Sequence, residues 1–152
     1  MAFSTRLGPH RQGTVKEGSG ANCGLPILSQ AGTVAYTDTS AKSLFILPAG
    51  SKIISVIVDV TTAFNSSGTD LLDVGTTANG ALYVNDLDVS STGHNVCTLV
   101  AGNLASILNV GTSDVTVTAT YAQSVADAAA GAATVTVNYI QRNTDGTTTV
   151  AP

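Results

Sequence analysis

The segments Thr116 to Gln123 (TVTATYAQ) and Thr134 to Gln141 (TVTVNYIQ) carry nearly the same pattern, small polar side chains alternating with apolar ones. A period of two is that of a β-strand with one buried face, so each segment is expected to be a strand. Val117, Ala119 and Tyr121 in the first, and Val135, Val137 and Tyr139 in the second, then point into a core. The opposite faces hold Thr116, Thr118 and Thr120, and Thr134, Thr136 and Asn138. Hydroxyls and amides are wettable, yet cost far less to dehydrate than charges, because they can pair again across an interface. These six residues are therefore candidates for a subunit interface rather than for an active site.

Strand signals recur at short intervals along the rest of the chain, near 33–37, 43–47, 52–60, 70–74, 80–89, 95–100, 105–110, 113–123 and 132–142. Turn-forming runs separate them: Pro48-Ala49-Gly50, Asn65-Ser66-Ser67-Gly68, Asn79-Gly80, Ser91-Thr92-Gly93 and Asp145-Gly146. Asn79-Gly80 predicts a tight type I′ hairpin, since both residues tolerate positive φ. In 52–60, Ile54, Val56, Val58 and Val60 are expected on the core face, with Ile53, Ser55, Ile57 and Asp59 opposite. Residues 122–133 hold the best helix formers, but the run is too short to stand alone and reads as a loop or a single helical turn between two antiparallel strands. Many short strands with regular turns predict an all-β fold, a jelly-roll-like antiparallel sandwich of eight or nine strands.

From Met1 to about Gln30 neither period is present, and glycines and prolines interrupt any regular element. This stretch reads as an extended N-terminal arm, residues 1–30, ahead of a β-domain at 31–152. Leu25, Ile27 and Leu28 are its candidates for pinning onto a body or a neighbour. The arm also holds the basic charge. Residues 1–16 contain Arg6, Arg11 and Lys16 and no acid, whereas the remainder of the chain carries three basic and ten acidic residues. A basic arm on an acidic body suits contact with an acidic partner; the body lacks the clustered Lys and Arg of a nucleic-acid groove. Charged residues are 11% of the chain, against roughly 25% in an average soluble protein. Surfaces so poorly defended by charge favour association. No apolar run reaches the length of a membrane span, and no secretory signal is evident. Cys23 and Cys97 are too few for a disulfide framework and read as free thiols.

Catalytic signatures are missing. Asp59, Asp70, Asp73, Asp86 and Asp88 lie near expected strand ends, where Asp commonly bonds its own backbone. A structural Ca²⁺ is the alternative use of that group, although the spacing matches no EF-hand-type loop. His10 and His94 are far apart in sequence, without the partners a zinc site needs. Neither a nucleophile elbow nor a phosphate-binding loop occurs. No catalytic residue and no cofactor is expected.

The string FILPAGSKIISVIVDVTTAFNSSGTDLLDVGTTANG from Phe45 to Gly80, with DVTVTATYAQ and AGAATVTVNYIQ further on, resembles a recurrent small structural protein of tailed bacteriophages encoded among the head genes. Within that group it is similar to capsid decoration, or cement, proteins. The resemblance implies a non-enzymatic subunit on the outer surface of the virion, with the major capsid protein and further copies of itself as partners. Three-fold axes of a capsid make a homotrimer the natural form. On this reading Arg6, Arg11 and Lys16, with Leu25, Ile27 and Leu28, meet the capsid, and neither nucleic acid nor membrane is a partner. A head-fibre base, or a tail component that binds a receptor or glycan through the loops at 62–69 and 75–81, is the alternative.

Overall fold

The computed structural model describes residues 27–141. Eight strands form two four-stranded sheets: β1 (Ile27–Ala35), β2 (Lys42–Leu47), β3 (Lys52–Thr62), β4 (Asp70–Thr76), β5 (Val84–Asp88), β6 (Gly93–Val96), β7 (Val115–Gln123) and β8 (Ala132–Ile140). One sheet has the order β1-β8-β3-β6 and the other β2-β7-β4-β5, and every pairing is antiparallel. A simple rule underlies these orders. β4 pairs with β5, β3 with β6, β2 with β7 and β1 with β8, as in one long two-stranded ribbon. Rolling that ribbon over itself adds the β3–β8 and β4–β7 pairings and produces the jelly roll. All connections except β4–β5 cross between the sheets.

The twin segments are β7 and β8, and each is an inner strand of its own sheet. They face each other across the core rather than pairing edge to edge. Val117, Ala119 and Tyr121, and Val135, Val137 and Tyr139, are all buried there, as the period of two predicts. Residues 124–131 accordingly bridge the two sheets, and they contain no helix.

Other expectations shift for local reasons. In β3 the alternation slips at a bulge, where the register with β8 jumps between Ile53 and Ser55. The extra residue sends Ile53 to the core and leaves Ile54 39% exposed, the reverse of the simple count; Val56, Val58 and Val60 still point inward. Asn79-Gly80 is not a type I′ turn, since neither residue has positive φ. The connection instead runs over residues 77–83. There Thr76 and Asn79 exchange backbone hydrogen bonds of 2.8 and 3.1 Å, and the Asn79 side chain accepts the Ala81 N–H. Of residues 105–110, read as a strand, 105–108 belong to a helical stretch in which a 3-10 turn (Ala101–Asn103) runs into α1 (Leu104–Leu108). A short apolar run is ambiguous by period alone, and here only Ile107 is buried. The expected strand at 95–100 is shorter, ending at Val96. β1 opens at Ile27, so residues 27–30, expected in the arm, are paired with Val137 to Ile140 of β8.

Gly75 lies on the outer face of β4, and the 77–83 connection folds back over it: a Cβ at this position would meet the Asn79 carbonyl oxygen at 2.1 Å. Its neighbour in register is Thr118, only 2% exposed, whose hydroxyl has no hydrogen-bond partner. An unpaired buried hydroxyl costs about 1–3 kcal/mol. Thr118→Val keeps the branched shape and removes the hydroxyl, so it should raise stability by about 1 kcal/mol, seen as a higher urea midpoint at unchanged slope; a lower midpoint would refute the assignment.

Antiparallel pairing places the start of β1, the end of β8 and the start of β3 at one end of the sandwich, since Ile140 is opposite both Ile27 and Lys52. The β2–β3, β4–β5 and β6–β7 connections share this end. The remaining connections form the far end.

Candidate functional site

The five acids that composition brings to notice do not converge. Among the described residues no three His, Cys, Asp or Glu side chains are grouped so as to hold a metal ion. Each acid has a local task instead. Asp70, 3% exposed, takes a hydrogen bond from the Tyr121 hydroxyl and one from the Ser66 N–H, closing the β3–β4 loop onto the core. Asp73 accepts the Asp86 N–H at 2.7 Å, where β5 departs from regular geometry with Asp86 at φ 54°. Asp88 accepts from Ser90 at 2.9 Å, and the Ser90 hydroxyl and N–H hold its carboxyl below the usual range. Asp59 contacts His94 Nδ1 at 2.5 Å on the exposed outer side of the β1-β8-β3-β6 sheet. Asp38, outside that group of five, is tied to Lys42 at 2.8 Å and to the Ala35 N–H. Burial pushes its carboxyl up, but those two donors prevail and hold it low. Cys97 is half-buried, and burial pushes its thiol up, away from the reactive thiolate.

A wide-mouthed hollow of about 380 Å³ lies between the 77–83 connection, α1 and the start of β7. Its lining includes Thr76, Leu82, Tyr83, Ser106, Asp114 and Thr116. Asp114 accepts the Ala49 N–H at 2.9 Å.

Outward-facing surfaces are the chemically distinctive part of the molecule. The two polar rows of the twin strands lie on opposite outer sides of the sandwich, so they serve two different surfaces. Thr116 and Thr120 are half-buried, and Thr118 lies under its own chain. Thr134, Thr136 and Asn138 run down the middle of the other sheet, between β1 and β3. Ser29 donates to Asn138 Oδ1 at 2.5 Å, and Asn138 Nδ2 donates to Ser55 at 2.9 Å, a polar ladder across three strands. Beside it, the register aligns Ala31, Thr136, Ile57 and Val96 as a mostly apolar row. Next come Thr33, Thr134, Asp59 and His94. Apart from the Asp59–His94 pair these three rows hold no charge.

Of the expected contact residues on the arm, Ile27 is 61% exposed and Leu28 packs against the core. Arg6, Arg11, Lys16 and Leu25 lie outside the described residues, as do Cys23, His10 and the turn at Asp145-Gly146. Composition gave no sign that the exposed apolar side chains would gather at one end, because that depends on strand order.

No protein-family model matches the chain, and no curated protein matches it. Its fold does match chains in solved structures. One, in the structure described as the cyanophage Pam1 capsid asymmetric unit, superposes with a TM-score of 0.61 at 20% identity, covering 90% of this chain and 99% of the other. A chain in the acidic stable capsid structure of Helicobacter pylori bacteriophage KHP30 gives 0.58 at 16% identity, covering 76% of this chain and 87% of its own. A third, in the capsid of Ralstonia phage GP4, gives 0.57 at 16% identity, with coverages of 78% and 86%.

Proposed function

We propose that this chain is a structural subunit of a phage capsid and, more narrowly, a decoration protein that binds the outside of the head and stabilises junctions between its capsomers. The observation that carries the reading is the near-complete correspondence with the Pam1 capsid chain, 90% of one against 99% of the other. The phage-like strings from Phe45 onward support the same role, as does the scarcity of charge.

In this reading the major capsid protein is the principal partner and the basic arm reaches it. Residues 27–141 hold eight acids and two bases, whereas residues 1–26 hold Arg6, Arg11 and Lys16 against Glu17. The contacts of the arm are then salt-sensitive. Copies of the chain meet as a trimer through the polar rows, above all Thr134, Thr136 and Asn138, and repetition over a symmetric lattice makes modest individual contacts sufficient. No catalytic step belongs to the role.

Removal of the arm is the direct test. Since Leu28 packs on the core, the cut belongs after Pro26 rather than after Gln30. The shortened chain should keep the circular dichroism and melting of the full chain but lose co-sedimentation with phage heads that lack this protein. Retained binding would eliminate the arm as the attachment device. Light scattering of the full chain tests the trimer.

A further inference from the structure

We infer that the end of the sandwich from which both chain termini depart is itself the face that seats on the shell, with the far end turned outward; this rests on the capsid reading above. Three independent features meet at that end. The first is where the chain leaves the described fold: 26 residues precede Ile27, 11 follow Gln141, and Ile27 and Ile140 are partners in register. Fully extended, the longer segment spans roughly 85 Å, enough to run across a neighbouring subunit from that point.

The second is apolar exposure. Seven large apolar side chains are exposed among the described residues. Ile27 opens β1, Ile46 is next to last in β2, Ile54 is third in β3, and Leu104 and Leu108 sit on α1 in the β6–β7 connection. All five belong to the end bearing the termini. Of the others, Val96 is mid-sheet, opposite Ile57, and Val125 alone lies at the far end. Single exposed apolar residues are ordinary, but their collection at one end marks a surface built to be covered. That surface is also held in shape. Gly50 N–H bonds the Gly111 carbonyl at 2.7 Å, Val110 N–H bonds Ser51 at 3.0 Å, and Asp114 takes the Ala49 N–H.

The third is charge. The far end displays Asp38, Asp88 and Asp127, with Lys42 committed to Asp38. The opposite end has Lys52 and Asp114, and the terminal segments that leave it carry Arg6, Arg11, Lys16 and Arg142 against Glu17 and Asp145. The body is thus acidic at the far end and nearly neutral at the apolar end, and the sequence that continues from the apolar end is net basic. Its partner is a protein surface offering apolar sites bordered by acidic side chains.

The experiment uses the full chain and heads of its phage assembled without it, with binding read by co-sedimentation. Leu104→Glu with Leu108→Glu, and separately Ile46→Glu, are expected to weaken binding at least about tenfold while circular dichroism and melting stay near the starting values. Val125→Glu at the far end should bind as the unaltered chain does. Unchanged binding by both altered-end variants, or loss with Val125→Glu instead, overturns the orientation. So does loss of self-association in sedimentation velocity with head binding intact, which would make this end a contact between copies. An unaltered chain that fails to bind the heads overturns the capsid reading itself, a separate result.

Discussion

Tyr121→Ala is expected to destabilise the domain by about 5 kcal/mol, a large part of the stability of a single domain. Two losses combine in it. The ring is completely buried and lies 4.6 Å, centroid to centroid, from Phe64 at a 41° tilt, so its removal opens a cavity in the core. Truncating a large buried aromatic costs about 3–5 kcal/mol. The hydroxyl also donates to Asp70, which keeps only the Ser66 N–H once the ring is gone. A hydrogen bond to a charged group contributes about 1.5–3 kcal/mol, and Tyr121→Phe isolates it, with an expected loss of about 2 kcal/mol. Urea denaturation of the two variants separates cavity from hydrogen bond. Equal losses in both would show that packing around the ring contributes nothing beyond the hydroxyl. Little room is left for relaxation, because Phe64 is in turn packed onto Gly131. A Cβ at Gly131 would lie 2.4 Å from the Phe64 ring, and its φ of 152° is itself unfavourable for other residues.

The second large effect is alkaline unfolding. Burial pushes the Tyr83 hydroxyl up to about 12, and burial together with the Asp70 carboxylate does the same for Tyr121. In the unfolded chain both ionise near the ordinary tyrosine value of about 10. A raised pKa in the folded state means that stability is fully present below that value. It is lost as pH climbs from there toward 12, because only the unfolded chain can release the protons. Two shifts of this size amount to something on the order of 5 kcal/mol between about pH 9 and about pH 12. Unfolding followed by circular dichroism and the rise of tyrosinate absorbance should coincide. Tyrosinate appearing near its ordinary pH in a still-folded protein would disprove the assignment. Tyr121→Phe, though less stable at neutral pH, should show the smaller alkaline loss.

The sequence shows which residues are inside more readily than where the strands go. Alternation alone identifies the inward faces of β7 and β8, because no bulge or special turn interrupts either one. The same count misplaces Ile54, since the bulge at Ile53/Ser55 depends on the pairing of β3 with a strand about eighty residues away in sequence. It also reads residues 105–110 as a strand, because so short an apolar run is ambiguous by period and only its surroundings decide. Asn79-Gly80 has the composition of a two-residue turn, but the backbone surface at Gly75 draws the connection into a longer path. The polar rows are visible as rows, yet nothing local reveals that they face opposite ways or that Thr118 is covered by its own chain. Clustering of exposed apolar residues at one end is still less accessible, because Ile27, Ile46 and Leu104 come together only through strand order.

The nested pairing also governs the order of events as the chain folds. β4 and β5 are joined by a short connection, whereas β1 must find β8 across nearly the whole domain, from Ile27 to Ile140. Long-range pairing bears the largest loop-closure entropy and comes slowly. β8 is the neighbour of both β1 and β3, so a chain still lacking Ala132 to Ile140 has neither pairing. Ile27 and Ile140 are brought side by side only by that pairing, and a partly folded chain does not present them together. On the capsid reading proposed above, attachment through that end would therefore wait until β1 has found β8.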